Sequence, residues 1–428
     1  MFAVALAWPS GASAAPQATI DVIKVEGALD RPLVGYLEQQ LTEAEDAGAV
    51  VILQLNTSGT LDQNALALAE RVATMNVPVI TWVGPAPAKA SGAGLLLMYA
   101  SSLAAVSPGS QTGPLYPLDL SHPSLRVPGL AATVNGWIAA RGKTTRTDWI
   151  DRPLDAAEAR HLGIAQVTAL SVPALLDEID GRQVSTAGGV VTLDTRVATT
   201  QAEAQQGTVL VRFEQLGPIK RVEHGVSSPS MIYFLLVIGL ACVAFEATQP
   251  GFGFAGFAGI GMLALAIYGL TVVPVSWFGL ALLVGGVGLM VLDVRLRRLG
   301  PFTAIGLVAF GVGSALAWHG VAEAIRVSPW LIGGAIVASL LYYGFGLTVA
   351  IQSRDRIVST QRGLIGLVGE ARGALSPEGP VFVKGTLWRG RATEGTIEPG
   401  SRVRVRGIDG LVLRVEAEPS PADEPGPA

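Results

Sequence analysis

The chain reads as a multi-domain membrane protein: an α/β external domain, then an all-α transmembrane bundle, then an all-β barrel. Three observations predict this. Residues 231–352 are almost uninterruptedly apolar. Ahead of them, short apolar runs alternate with amphipathic helical stretches, the order of a parallel sheet flanked by helices. Behind them, five short strand-like runs separated by turn residues fill about 60 residues, which suits a small OB-type barrel.

The apolar stretch breaks at Pro/Gly-rich or charged turns into five expected helices, at 231–248, 254–273, 276–294, 301–319 and 329–352. Each has roughly the 17–25 residues that a hydrocarbon core of about 30 Å requires. They are apolar all round, whereas a soluble helix keeps a polar face. Arg295, Arg297 and Arg298 follow the third helix, and Arg354, Arg356 and Arg362 follow the fifth. Arg326 is the only positive charge in the loops after the second and fourth. Five spans put both basic clusters on one side, which the positive-inside rule makes cytoplasmic. The reading is a multi-pass protein of the cell membrane, N-terminal domain extracytoplasmic and C-terminal domain cytoplasmic. No chain of ionisable residues crosses the bilayer, which argues against an ion pump or transporter. Glu246 and Asp293 fall near the cytoplasmic ends of spans, where an acid either serves function or only reaches the headgroups or caps a neighbouring helix. Gly285, Gly286, Gly311 and Gly313 permit close helix packing.

Composition fits this plan. Of 428 residues, 50% are hydrophobic and 15% charged, and the net charge of −4 carries no hint of a nucleic-acid partner. Cys242 is the only cysteine, so there is no intrachain disulfide and no cysteine-based metal site. His122, His161, His224 and His319 are scattered without i, i+3 or i+4 pairing. Asp148 and Asp151 only flank a loop. No phosphate motif occurs, and no metal or cofactor is expected. Gly251 and Gly253 are no dinucleotide loop, because no βαβ unit surrounds them. At the start, apolar Met1–Trp8 followed by Ala12-Ser13-Ala14 reads as a signal peptide over residues 1–15 that lacks a basic n-region.

The external domain, residues 18–180, alternates strand and helix. Strands are expected at Ala18–Val25, at the buried run Ala49–Leu55, at Pro78–Val83 and at Leu103–Ser107. Helices are expected at Arg31–Ala47, Asn64–Met75 and from Gly92 to Ala100. The segments Leu55-Asn-Thr-Ser-Gly-Thr60, Pro78-Val-Ile-Thr-Trp-Val83, Ala88-Lys-Ala-Ser-Gly-Ala-Gly94 and Val106-Ser-Pro-Gly-Ser110 resemble the ClpP-class, crotonase-like domain of long-form NfeD membrane proteins, itself similar to signal-peptide peptidases. The resemblance implies a Gly-Gly turn supplying oxyanion donors, an Ala-Ser-Ala-Gly segment carrying a nucleophilic serine, and a lysine base about forty residues on. Such chemistry needs a hydroxyl within reach of a base and fixed donors for the developing oxyanion.

Carried over position by position, the match fails at the chemistry. The family serine position is Gly92, and Ser91 stands one residue early, about 100° around a helix. The oxyanion-like turn is Ser58-Gly59-Thr60, so Gly59 and Thr60 stand where the family has Gly-Gly. The family lysine position is Ala132, in Ala131-Ala-Thr-Val-Asn-Gly-Trp137. Lys143 lies roughly three turns further on, and Lys89 two residues before Ser91. Ser91 is the one weak catalytic candidate, with Lys89 or Lys143 as a displaced base; its plainer role is the N-cap of the following helix. The helix Leu154–Gly163 resembles a structural family segment ending on a glycine C-cap.

Residues 181–230 read as a polar connection with a short strand pair near Gly189–Leu193 and an alternating run Thr208–Phe213. Leu216, Ile219, Val222 and Val226 then recur at helical spacing beside Lys220, Arg221 and His224. That is either a basic amphipathic helix lying along the membrane interface or a loop. Between the first spans, Phe245-Glu246-Ala-Thr-Gln-Pro250-Gly251-Phe-Gly253 resembles the NfeD membrane signature. Past the membrane, residues 357–418 carry strand-like runs. Gly385–Arg391 with Trp388, Pro399-Gly400-Ser-Arg-Val403 and Asp409-Gly410-Leu-Val-Leu413 resemble the C-terminal NfeD domain. Phe382 and Trp388 are its only aromatics and acids offset its arginines, so docking of protein is expected rather than single-stranded nucleic acid. The tail 419–428 reads as disordered.

Two function classes follow. In one, the chain is a membrane scaffold with an inactive protease-like domain; the resemblance implies stomatin/SPFH-type membrane proteins as partners, contact with membrane lipid, and self-association into a homo-oligomer. In the other it is an active membrane-bound serine protease of the ClpP class that cleaves apolar peptides.

Overall fold

The computed structural model describes residues 19–61, 63–142, 152–196, 209–247, 253–296, 300–346, 349 and 363–418. The expected signal peptide, Lys143, Asp148, Asp151, Pro250, Gly251, Arg297, Arg298, Arg354, Arg356, Arg362 and the acidic tail lie outside them.

The N-terminal domain is built as its alternating pattern predicts. Its elements run β1 (Thr19–Glu26), α1 (Arg31–Ala47), β2 (Val50–Asn56), α2 (Ala65–Ala73), β3 (Val79–Val83), β4 (Lys89–Ala90), α3 (Ala93–Ala100), β5 (Leu103–Val106), β6 (Gln111–Thr112), α4 (Leu130–Ala140), β7 (Leu154–Asp155), α5 (Ala156–His161), β8 (Val167–Thr168), α6 (Val172–Ile179), β9 (Gln183–Thr186), β10 (Gly189–Thr192) and β11 (Leu210–Glu214). Six strands form one parallel sheet in the order β11-β1-β2-β3-β5-β8, and β4, β6 and β7 form a small second sheet. Successive side chains of a strand face opposite ways. Accordingly Ile23, Val25, Val51, Leu53 and Leu55 enter a core with α1–α4, while Ile20, Val22, Ile52, Ile80 and Trp82 enter a second core with α6. Burial on both faces explains why β2 reads as an unbroken apolar run.

Residues 181–230 are more than the connection expected. The hairpin β9–β10 forms, and β11 joins the main sheet beside β1, where Arg212 grips Asp21 through two hydrogen bonds of 2.7 and 2.8 Å. The amphipathic stretch is helix α7 (Pro218–Val226). It is tied to the sheet domain by His224, whose Nδ1 lies 2.8 Å from Asp30 Oδ2 and whose Nε2 lies 2.9 Å from the carbonyl oxygen of Glu26. Asp30 is fully buried and also caps α1 by accepting the Leu33 amide. The Asp30 carboxylate, chiefly, holds the His224 pKa above its ordinary value, and burial opposes this.

Five apolar helices follow: α8 (Pro229–Glu246), α9 (Phe254–Val272), α10 (Trp277–Arg295), α11 (Pro301–Ala317) and α12 (Pro329–Ser339), the last running on as a π-helix over Leu340–Gly346. Four stretches are long and apolar enough to cross a membrane: Pro229–Glu246, Phe254–Val272, Trp277–Arg295 and Glu323–Gly346. With 17 residues, α11 is shorter than expected and rises only about 26 Å. A Cβ at Gly239 would lie 3.2 Å from the Gly259 carbonyl, and one at Gly259 would lie 3.0 Å from the Gly239 carbonyl, so α8 and α9 pack through paired glycines. Gly279 and Gly313 bring α10 and α11 together as closely: a Cβ at Gly313 would lie 2.7 Å from the Gly279 carbonyl, and one at Gly279 would lie 2.6 Å from the Ala317 amide nitrogen. Gly285, expected at such a contact, faces open space.

The C-terminal domain comprises β12 (Val368–Ala371), β13 (Glu378–Val383), β14 (Thr386–Ala392), β15 (Arg402–Asp409) and β16 (Val412–Ala417). They close into a barrel in the order β12-β13-β14-β16-β15, with β14 and β16 parallel and the other neighbours antiparallel. That 1-2-3-5-4 order is the OB-type barrel expected. Val381, Val383, Val403, Val405, Leu413 and Val415 fill it, so the arginines alternating with them along β15 face outward.

Candidate functional site

The degenerate protease motifs do converge in space. The turn after β2 carries Gly59 and Thr60, and the start of α3 carries Ser91 and Gly92. Across both lies the segment that follows β6, residues 113–121, held down by Leu115, Leu118 and Leu120, which are at most 3% exposed. Burying three such side chains contributes roughly 1.5–3 kcal/mol each.

This strap occupies the groups that hydrolysis would need. The backbone amide of Thr60 donates to the carbonyl oxygen of Leu118 at 3.0 Å, and the Thr60 hydroxyl donates to the same oxygen at 3.1 Å. The Gly59 amide turns to its own neighbour, the Thr57 hydroxyl, at 3.4 Å. An oxyanion hole needs free donors aimed at one point, and here one amide serves the chain's own carbonyl and the other a side chain.

The nucleophile position is equally closed. Gly92 has φ +54°, its amide donates to the Pro114 carbonyl at 2.9 Å, and a Cβ there would lie 2.5 Å from the Pro117 carbonyl oxygen. Ser91 is not the N-cap expected: Gly92 holds that place and no side chain caps α3. Instead the Ser91 hydroxyl donates to the Gly113 carbonyl at 2.7 Å. An amide carbonyl cannot take the proton away, so the hydroxyl stays weakly nucleophilic. Ala132 is an exposed methyl on α4, and Lys89 is exposed on β4 with its backbone amide on Asn56 Oδ1. Among the described residues, no basic side chain hydrogen-bonds Ser91.

The strap also meets the membrane domain. The Ala322 amide, in the loop after α11, donates to the Leu120 carbonyl at 2.8 Å, and Val321 and Ala322 are buried. Nothing in the sequence pointed to this contact, because isolated backbone bonds between distant loops leave no pattern in residue types.

In the membrane, Glu246 is buried and caps α9, accepting the Gly253 amide and, at 3.0 Å, the Gly256 amide. Asp293 caps α11 in the same way, accepting Gly300 at 3.0 Å and Thr303 at 2.6 Å. Each acid bonds the residues seven and ten places on. Phe245 is partly exposed beside this turn. In the barrel, Trp388 lies half-buried on β14, and its indole N–H finds no acceptor among the described residues. Gly400 (φ +86°) and Asp409-Gly410 (φ +62° at the glycine) make the turns into β15 and β16, and the Gly400 amide donates to the Ala371 carbonyl. No group of three or more metal-ligating side chains occurs among the described residues.

Comparison with known proteins bears on the domains. Residues 230–348 match the NfeD integral membrane domain, and residues 361–416 match the NfeD-like C-terminal, partner-binding domain. "Membrane-bound protease PH1510" of Pyrococcus horikoshii is 26% identical over 93% of this chain and 93% of its own length. "Membrane protein NfeD1b" of Bacillus subtilis is 24% identical over 94% of this chain and 93% of its own. A solved structure, the C-terminal domain of stomatin operon partner protein 1510-C from Pyrococcus horikoshii, is 43% identical; the match covers 14% of this chain and 94% of that one at a TM-score of 0.14. With both NfeD domain models matched and homology to two such membrane proteins running over 93% of its length, the chain carries an NfeD integral membrane domain and an NfeD-like C-terminal domain behind a protease-like domain.

Proposed function

We propose that the chain is a membrane scaffold: its protease-like domain does not hydrolyse peptides, and its barrel docks a stomatin/SPFH-type membrane protein. One observation carries the first half. The strap places the Leu118 carbonyl on the Thr60 amide and the Pro117 carbonyl where a side chain at residue 92 would stand. Substrate carbonyl and nucleophile would have to displace the chain's own backbone, and among the described residues no basic side chain hydrogen-bonds Ser91. The match of residues 361–416 to a partner-binding domain supports the docking role of the barrel. The five-span reading, with Arg295 and its neighbours cytoplasmic, puts the barrel inside and the protease-like domain outside.

The test is fluorophosphonate labelling and apolar-peptide cleavage by the detergent-purified full chain, with Ser91→Ala as control. Silence in both, from protein that is folded and binds a stomatin-type partner through the barrel, is the expected result. Labelling and cleavage that vanish together in Ser91→Ala would overturn the scaffold reading and establish the alternative, a protease with a displaced dyad. That alternative is favoured by one relative's being named a membrane-bound protease.

A further inference from the structure

Where α1 and α7 meet the end of α9, the structure leaves a cleft of about 540 Å³ lined by Arg31, Lys220, Glu223, Tyr268 and Thr271. That volume lies within the range of small-ligand sites. Its floor belongs to a membrane helix: Gly269 approaches so closely that a Cβ there would lie 2.7 Å from the Val226 carbonyl at the end of α7. The cleft therefore lies at the level of the bilayer surface, on the side of the protease-like domain.

Its charges are unspent. Among the described residues neither the Arg31 guanidinium nor the Glu223 carboxylate makes an ion pair, and Lys220 has only the face of the Tyr36 ring, 6.0 Å away. Arg31 also sits in the first turn of the 17-residue helix α1, whose dipole favours an anion there. Two cations and a carboxylate in one cleft complement a ligand that carries phosphate and ammonium together. Below it, Leu265 and Ile267 of α9 are exposed apolar side chains, as acyl chains require, and Ile219 and Val222 on α7 are exposed beside it.

We propose that this cleft binds the headgroup of a phospholipid bearing a phosphate and a primary ammonium, a phosphoethanolamine lipid, with Arg31 and Lys220 on the phosphate and Glu223 on the ammonium. Bound there, the lipid bridges α1, α7 and α9 and seats the protease-like domain on the membrane.

The experiment is retention of lipid by the full-length protein, purified in mild detergent from vesicles of equal phosphatidylethanolamine, phosphatidylglycerol and phosphatidylcholine, read by native mass spectrometry. Wild type is expected to retain phosphatidylethanolamine in preference. Arg31→Ala with Lys220→Ala should cut retention of every phospholipid about tenfold, the scale of losing charge-assisted hydrogen bonds. Glu223→Gln should keep retention and abolish the preference for ethanolamine over glycerol. Arg31→Lys with Lys220→Arg, which keeps both charges, should retain lipid and control for folding. Wild-type retention by the double alanine variant, or equal competition by soluble glycerophosphoethanolamine, would overturn the proposal.

Discussion

The backbone amide of Thr60 donates to the carbonyl oxygen of Leu118 at 3.0 Å. That bond places a carbonyl of the chain itself on the amide of the oxyanion-like turn, in the same strap whose Pro117 carbonyl oxygen would lie 2.5 Å from a Cβ at Gly92.

Restoring the family serine should therefore fail. Gly92→Ser places a Cβ 2.5 Å from the Pro117 carbonyl oxygen, on a backbone at φ +54° that disfavours L side chains. Overpacking and backbone strain together should cost about 2–4 kcal/mol. A lowered thermal midpoint of the detergent-solubilised protein, with no gain in fluorophosphonate labelling, is the expected outcome; labelling by this variant would show that the strap yields and a base is at hand.

Asp30 and His224 make the attachment of the protease-like domain to α7 sensitive to pH. The His224 pKa is raised by its hydrogen bond to Asp30. The protonated form is thus bound more tightly in the folded state. Its contribution is fully present below the unfolded value of about 6.5 and is lost as pH rises through the higher folded value. Asp30→Asn keeps a side-chain oxygen able to cap α1 but removes the negative charge. It should cost about 1–3 kcal/mol at pH 6 and less at pH 9. Thermal midpoints of wild type and variant across that range measure it; a gap independent of pH would refute the assignment.

Much of this molecule was legible in the sequence, and the boundary follows physical range. Apolar length revealed the membrane helices, because water-to-lipid transfer depends on local composition alone. Alternation of arginine and valine from Arg402 to Arg406 revealed a barrel strand, because one face is buried. What stayed hidden was long-range: β11 beside β1, the strap over Thr60, His224 on Asp30. Each joins residues far apart in the chain through groups that any sequence carries. The role of Ser91 as an N-cap was misread for a related reason. Capping depends on backbone angles, and Gly92 at φ +54° already holds that place.

Glu246 and Asp293 should prove to be structural acids. Each satisfies two amides at the start of the next membrane helix, where the helix dipole favours negative charge. Glu246→Ala or Asp293→Ala should cost about 2 kcal/mol, the upper range for a lost cap. Yield and thermal midpoint should fall together while partner binding by the protein that folds is unchanged. Loss of binding in fully stable protein would instead give these acids a functional part.

Glycines in the bundle separate packing from helix propensity. At Gly279 a Cβ would lie 2.6 Å from the Ala317 amide nitrogen, backbone that cannot rotate away, so Gly279→Ala must push α10 and α11 apart. At Gly285 a Cβ meets nothing within 4 Å. Alanine is favoured over glycine within a helix by about 0.8–1 kcal/mol, and nothing opposes that gain at Gly285. Gly279→Ala should therefore lower the thermal midpoint in detergent, by about 1–3 kcal/mol of overpacking, while Gly285→Ala leaves it level or raises it. The comparison is internal to one pair of helices and one substitution. Equal loss at both positions would mean that Gly285 faces a second helix in the membrane, as it would if the protein assembled with further copies through α10.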